Sequence, residues 1–100
     1  MADLNVEVRD MTDNKRMNFT VPDDQPIDRL TEVFVDHFQL PKTGFDGNPQ
    51  FYDLHLFDQK TQTNKKLDDH KTLFQAGVKE GSILKLITIT VAGINIWMKQ

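Results

Sequence analysis

The chain has 100 residues, 12 Lys+Arg against 15 Asp+Glu, no cysteine and 38% hydrophobic residues. That length supports one domain with one core and leaves little room for an enclosed substrate cavity. The lack of cysteine removes disulfides, thiolate nucleophiles and Cys-based zinc sites together, and a net charge of −3 argues against wrapping nucleic acid.

Leu4, Val6 and Val8 alternate with Asn5, Glu7 and Arg9, the two-residue period of a strand with one apolar side. Thr12-Asp13-Asn14-Lys15 has reversing chemistry, and Met17, Phe19 and Val21 then resume the alternation. An N-terminal hairpin is expected. After Pro22-Asp23-Asp24-Gln25-Pro26 the period changes. Ile27, Leu30, Phe34 and Phe38 form one helical stripe, with Asp28, Arg29, Glu32 and Asp36 opposite, and Leu40-Pro41 ends the run. The stripe must bury itself on something, and the apolar side of the hairpin is the available platform.

Residues 42–50, with Gly44, Gly47 and Pro49, read as a loop. Tyr52, Leu54 and Leu56 alternate with Asp53, His55 and Phe57 in a third strand. The polar stretch 58–66 reads as an exposed excursion. Residues 72–78 suggest a short helical turn closed by a left-handed Gly77. Glu80-Gly81-Ser82 then turns the chain, and Leu84 and Leu86 begin a last strand. The longest apolar run, residues 86–98, has 13 residues and is rich in Ile, Val and Thr. A spanning helix needs ~20, so no membrane insertion is expected. Residues 1–6 show no cationic stretch leading into an apolar run, so a cytoplasmic location is expected.

This order of elements resembles the ubiquitin-like β-grasp family. The likeness is carried by Lys66-Leu67, Thr72-Leu73 and the run from Gly77 through Glu80-Gly81-Ser82 to Leu84-Lys85-Leu86, and it spans residues 4–91. In length and character the chain is similar to the bacterial YukD/EsaB-like small ubiquitin-like proteins found with type VII secretion machinery. The resemblance implies an α+β fold, a mixed sheet with one helix across it, in the order β-β-α-β, short turn helix, β. The last strand would run parallel beside the first, in the centre of the sheet. Leu4, Val6, Met17, Phe19, Ile27, Leu30, Phe34, Phe38, Leu54, Leu56, Leu67, Leu73, Val78, Leu84 and Leu86 would form the core. Residues 1–91 would be the domain and residues 92–100 a tail, either an added strand or a removable extension.

Nothing in the chain reads as a catalytic or metal centre. His37, His55 and His70 fall on separate elements, whereas a metal needs converging ligands. Asp23-Asp24 and Asp68-Asp69 read as turn caps. No nucleophile elbow or phosphate-cradling loop occurs. No enzyme activity, cofactor or metal is therefore expected.

The outer sheet face and the tail are more informative. With Leu84 and Leu86 inward, Lys85, Ile87 and Ile89 face outward beside His55. In ubiquitin-like proteins this face carries an aliphatic patch that partners grip; here His55 replaces an aliphatic. Ile87 and Ile89 are either partner contacts or covered by the tail. Gly93 lies nine residues after Leu84, where the resemblance places a conjugated glycine, and Ala92 replaces the usual first glycine. Seven residues follow, as in a precursor awaiting a protease and E1/E2-like activating and conjugating enzymes. Against this, Thr88 to Val91 is strand-forming and Ile94 and Ile96 alternate. Ala92-Gly93 could then be a two-residue reversal, with Trp97 a buried lid or an aromatic anchor. The folded tail is favoured. The expected function is a non-catalytic adaptor binding other proteins, secretion components among them, through His55, Lys85, Ile87, Ile89 and Trp97. The alternative is a modifier precursor cut after Gly93, with Ala92 and Gly93 as its processing and conjugation residues.

Overall fold

In the computed structural model, which describes residues 3–43, 47 and 49–89, the first two strands form an antiparallel hairpin. They are β1 (Asp3–Asp10) and β2 (Arg16–Pro22), paired from Asp3↔Pro22 to Arg9↔Arg16. Asp13 turns the chain with a left-handed φ of 63°, a region that Asp tolerates better than most residues. Helix α1 (Ile27–Phe38) follows, with β3 (Phe51–Asp58), β4 (Thr63–Lys66) and β5 (Ile83–Ile89) completing the order. The five strands make one sheet, β2-β1-β5-β3-β4. β5 runs parallel to β1, as the family resemblance implies, and antiparallel to β3.

The helix buries its expected stripe. Ile27 and Phe34 are fully covered, and Leu30 and Phe38 nearly so. Phe34 packs against Phe19 of β2 with ring centroids 4.8 Å apart. The facing strands supply Val6, Val8, Leu54, Leu84 and Leu86, while Leu67, Leu73 and Val78 close one end. The free N–H groups at the start of α1 are met by a later segment: Ile27 donates to the Lys71 carbonyl (2.9 Å) and Asp28 to the Asp69 carbonyl (3.2 Å). That satisfies donors which a helix cannot pair internally. Lys15 Nζ donates to the Phe38 carbonyl at the other end (3.1 Å), where a cation complements the helix dipole.

Four of the expected core residues are not fully buried. Met17 is 40% exposed, because the turn end of β2 lies beyond the last turn of the helix. Val8, Val21 and Val35 are buried instead. Leu4, Phe19 and Leu56 are only partly buried. The stretch read as an excursion contains β4, paired to β3 from His55↔Lys66 to Asp58↔Thr63. All four β4 residues are exposed, so no alternation betrays the strand. Residues 72–78 close as hydrogen-bonded turns, with Val78 N–H on the Leu73 carbonyl (3.0 Å) and Gly77 left-handed at φ 82°.

Candidate functional site

The outer face of β5 and β3 forms by strand alternation, since the even residues Leu84 and Leu86 go to the core. Register sets the neighbours: Ile83 opposite Phe57, Lys85 opposite His55, Ile87 opposite Asp53 and Ile89 opposite Phe51. The structure therefore brings His55, Lys85, Ile87 and Ile89 onto adjoining strands. Trp97, Ala92 and Gly93 lie outside the described residues.

Lys85 stands in the middle of this face yet is only 9% exposed. Its Nζ is 3.1 Å from Asp13 Oδ1 and lies 4.5 Å from the centroid of the Phe57 ring. The Arg9 guanidinium approaches the same ring at 5.9 Å and pairs with Glu7 and, at 4.0 Å, with Asp13. A cation over an aromatic face beside a carboxylate is held by both the ring quadrupole and the charge. Its charge is thus engaged within the chain. Asp13 reaches it because the β1–β2 turn folds over this end of the face.

His55 sits half-buried between Lys85 and Lys66, and its Nδ1 is buried without a hydrogen-bond partner. Burial pushes its pKa below the usual 6.5; Lys66 works in the same direction and Asp53 against it. The ring is consequently held neutral. The other half of the face is mainly apolar: Ile87 and Ile89 are half-buried and Phe51 is exposed, with Asp53 opposite Ile87 turned toward Lys66 (3.8 Å). The face divides into a self-paired charged end and an aliphatic end.

His37 lies edge-on against Phe19 (5.3 Å), and His70 is exposed in a turn. Among the described residues no three His, Asp or Glu groups are placed to hold a metal ion, and no helix is long and apolar enough to cross a membrane. The sequence reading missed a groove of about 390 Å³ between α1 and β3, with Val35 and Tyr52 in its wall and Asp28, Glu32 and Asp36 along its rim. The four-residue spacing of those three carboxylates was its signal. It also missed the clamp in which Asn5 N and Nδ2 donate to the Glu80 carboxylate (2.9 and 2.8 Å). That clamp fixes the turn leading into β5 and lowers the Glu80 pKa.

Among the described residues, a mixed sheet in which β5 runs parallel to β1, crossed by one helix, defines a ubiquitin-like β-grasp. Solved structures agree on the fold. The chain is similar to Trypanosoma brucei tubulin-binding cofactor B (TM-score 0.68, 15% identity, covering 89% of this chain and 98% of that one). It is likewise similar to the C-terminal ubiquitin-like domain of mouse tubulin-specific chaperone e (0.65, 13%, covering 85% and 84%). A third is the ubiquitin-like domain of Plasmodium falciparum Dsk2 (0.60, 17%, covering 87% and 99%). No curated protein matches the sequence. The family model for protein YukD of the WXG100 protein secretion system matches residues 4–86, and the chain belongs to that family.

Proposed function

We propose that this chain is a non-catalytic adaptor that serves a bacterial WXG100-type secretion system from the cytoplasm, binding protein partners through the aliphatic half of its outer sheet face. The carrying observation is the division of that face. Arg9 and Lys85 are both ion-paired with Asp13 at one end, whereas Ile87, Ile89 and Phe51 offer apolar surface at the other. Family membership supports the setting. In this reading His55 borders the contact as a neutral ring, the C-terminal segment with Trp97 adds to it, and Lys85, paired with Asp13, flanks it on the same face.

A second reading, a modifier precursor, is favoured by one observation: Gly93 stands nine residues after Leu84. Intact-mass analysis of protein from the native host separates the two. Full-length chain that co-purifies with secretion components, and loses them on Ile87→Glu with an unchanged melting temperature, is the adaptor result. A species ending at Gly93, or adducts that vanish on Gly93→Ala, is the modifier result and overturns the adaptor.

A further inference from the structure

The groove between α1 and β3 carries a charge pattern that the outer sheet face lacks. Asp28, Glu32 and Asp36 follow one another at four-residue intervals along its helix rim. Asp69 joins them beside Asp28, whose N–H its carbonyl accepts (3.2 Å). Four residues of helix advance about 6 Å, so the three helix carboxylates make a row roughly 12 Å long. Arg29 lines a neighbouring hollow with Val33 and not this groove.

Among the described residues Lys42 is the one cation lining the groove, and it shows what the row attracts. Its Nζ lies 2.6 Å from Asp36 Oδ1. The hydrogen bond and charge of Asp36, with a smaller push from Glu32, raise its pKa above the usual 10.5. Asp28, Glu32 and Asp69 have no ion-pair partner among the described residues.

The polar groups of the walls are engaged within the chain. Thr31 Oγ1 donates to the Ile27 carbonyl (2.8 Å). Tyr52 OH donates to the Pro41 carbonyl (2.6 Å) and accepts from Gln50 Nε2 (3.3 Å). What the walls still present is apolar surface from Val35, the Tyr52 ring and Phe51, the last 53% exposed. An occupant must therefore bring cations for the rim and an apolar side chain for the wall. An extended chain supplies both at a matching interval. Its alternate residues stand about 6.7 Å apart on one side, near the repeat of the carboxylates, and the residue between them points the other way.

We propose that this groove docks an extended segment of a partner protein in which basic residues alternate with apolar ones. Two of its cations meet Glu32 and the Asp28–Asp69 pair, and the apolar side chain between them enters beside Val35 and Tyr52. Ile87 and Ile89 lie on the opposite face of the sheet from the helix, so the two surfaces can be occupied together. The inference stands whether or not the outer face binds a partner.

The test titrates the isotope-labelled full chain with the peptide Gly-Ser-Lys-Leu-Lys-Leu-Lys-Ser-Gly at about physiological salt, followed by amide resonances. Saturable shifts should centre on residues 31–36 and 50–52. Glu32→Gln, at an exposed position, should weaken binding about two- to fivefold without moving the melting temperature, and Asp28→Asn/Glu32→Gln should weaken it further. Replacing both leucines of the peptide by serine should weaken it at least fivefold. Phe51 belongs to both surfaces and is left unaltered. Absent or unsaturable shifts overturn the proposal, and so do shifts centred on residues 85–89, which place the peptide on the outer face. Equal binding of the serine peptide marks a merely acidic surface and also overturns it. Sedimentation of the chain alone tests for a second copy in the groove. A monomer supports the proposal, whereas a dimer that dissociates on Glu32→Gln makes the second copy the occupant and overturns it.

Discussion

His55 couples the outer face to pH. Its ring lies between Lys66 on β4 and Lys85 on β5, with Asp53 two residues before it on β3 and Nδ1 buried without a partner. Burial holds its pKa below 6.5 in the folded chain against the opposing charge of Asp53, with a smaller push in the same direction from Lys66. As pH falls through that value the unfolded chain takes up a proton that the folded chain resists. The contribution to stability is therefore complete above pH 6.5 and is lost progressively as pH falls toward the lower folded value. Glu80 is also depressed, by its hydrogen bonds from Asn5, and its contribution is lost only as pH falls below its ordinary 4.5, so the His55 decline begins at higher pH. His55→Gln should flatten the decline in urea stability as pH falls below 6.5. A decline as steep as that of the parent would remove His55 as its source. The outward placement of His55 and Lys85 was legible from alternation. The destination of Lys85 was not, because Asp13 lies 72 residues away and only the folded turn brings it close.

Elements announce themselves in sequence where burial imposes a period. The helix stripe and the alternations of β1, β3 and β5 were legible for that reason, since each has one face on the core. β4 has no such face. Thr63, Asn64, Lys65 and Lys66 are all exposed, and the strand exists through its ladder to β3 and not through side-chain burial. The end of α1 was misplaced by a residue or two for a related reason. Leu40-Pro41 stops the apolar run, but the chain leaves the helix at Gln39, left-handed at φ 55°, with Leu40 N–H on the Val35 carbonyl (3.1 Å). Glycine usually takes this position because a side chain is strained there. Gln39→Gly should therefore raise stability by about 0.5–1 kcal/mol, relief of the strain exceeding the added freedom of the unfolded chain. In a chain of 100 residues that is a rise in melting temperature of a few degrees. A lowered melting temperature would show that Gln39 contributes more through its side chain than its backbone costs.

At the scale of the whole molecule, one contact joins pieces that are distant along the chain. α1 is the sole helix among the described residues, and it must cover a sheet whose central strands come from opposite ends of the sequence. The parallel pairing of β1 with β5 could be expected from the family resemblance alone; nothing local in either strand encodes its partner. Phe34 is where this arrangement is packed. Its ring is fully buried, touches Phe19 from the β1–β2 hairpin, and lies in the same core as Leu54 and Leu84 from β3 and β5. Phe34→Ala should cost about 3–5 kcal/mol, the transfer of a large aromatic together with the cavity it leaves. Domains of this size hold roughly 5–15 kcal/mol in total, so that loss removes a large fraction of the stability. Phe74 gives the matched control: it is the same residue type on the same chain but 75% exposed, and Phe74→Ala should fall within about 0.5 kcal/mol of the parent. Urea unfolding of both variants reads the difference as a shift in midpoint at constant slope. Equal midpoints for the two variants would mean that Phe34 is not the packing centre, and that the sheet closes without the helix pressing on it.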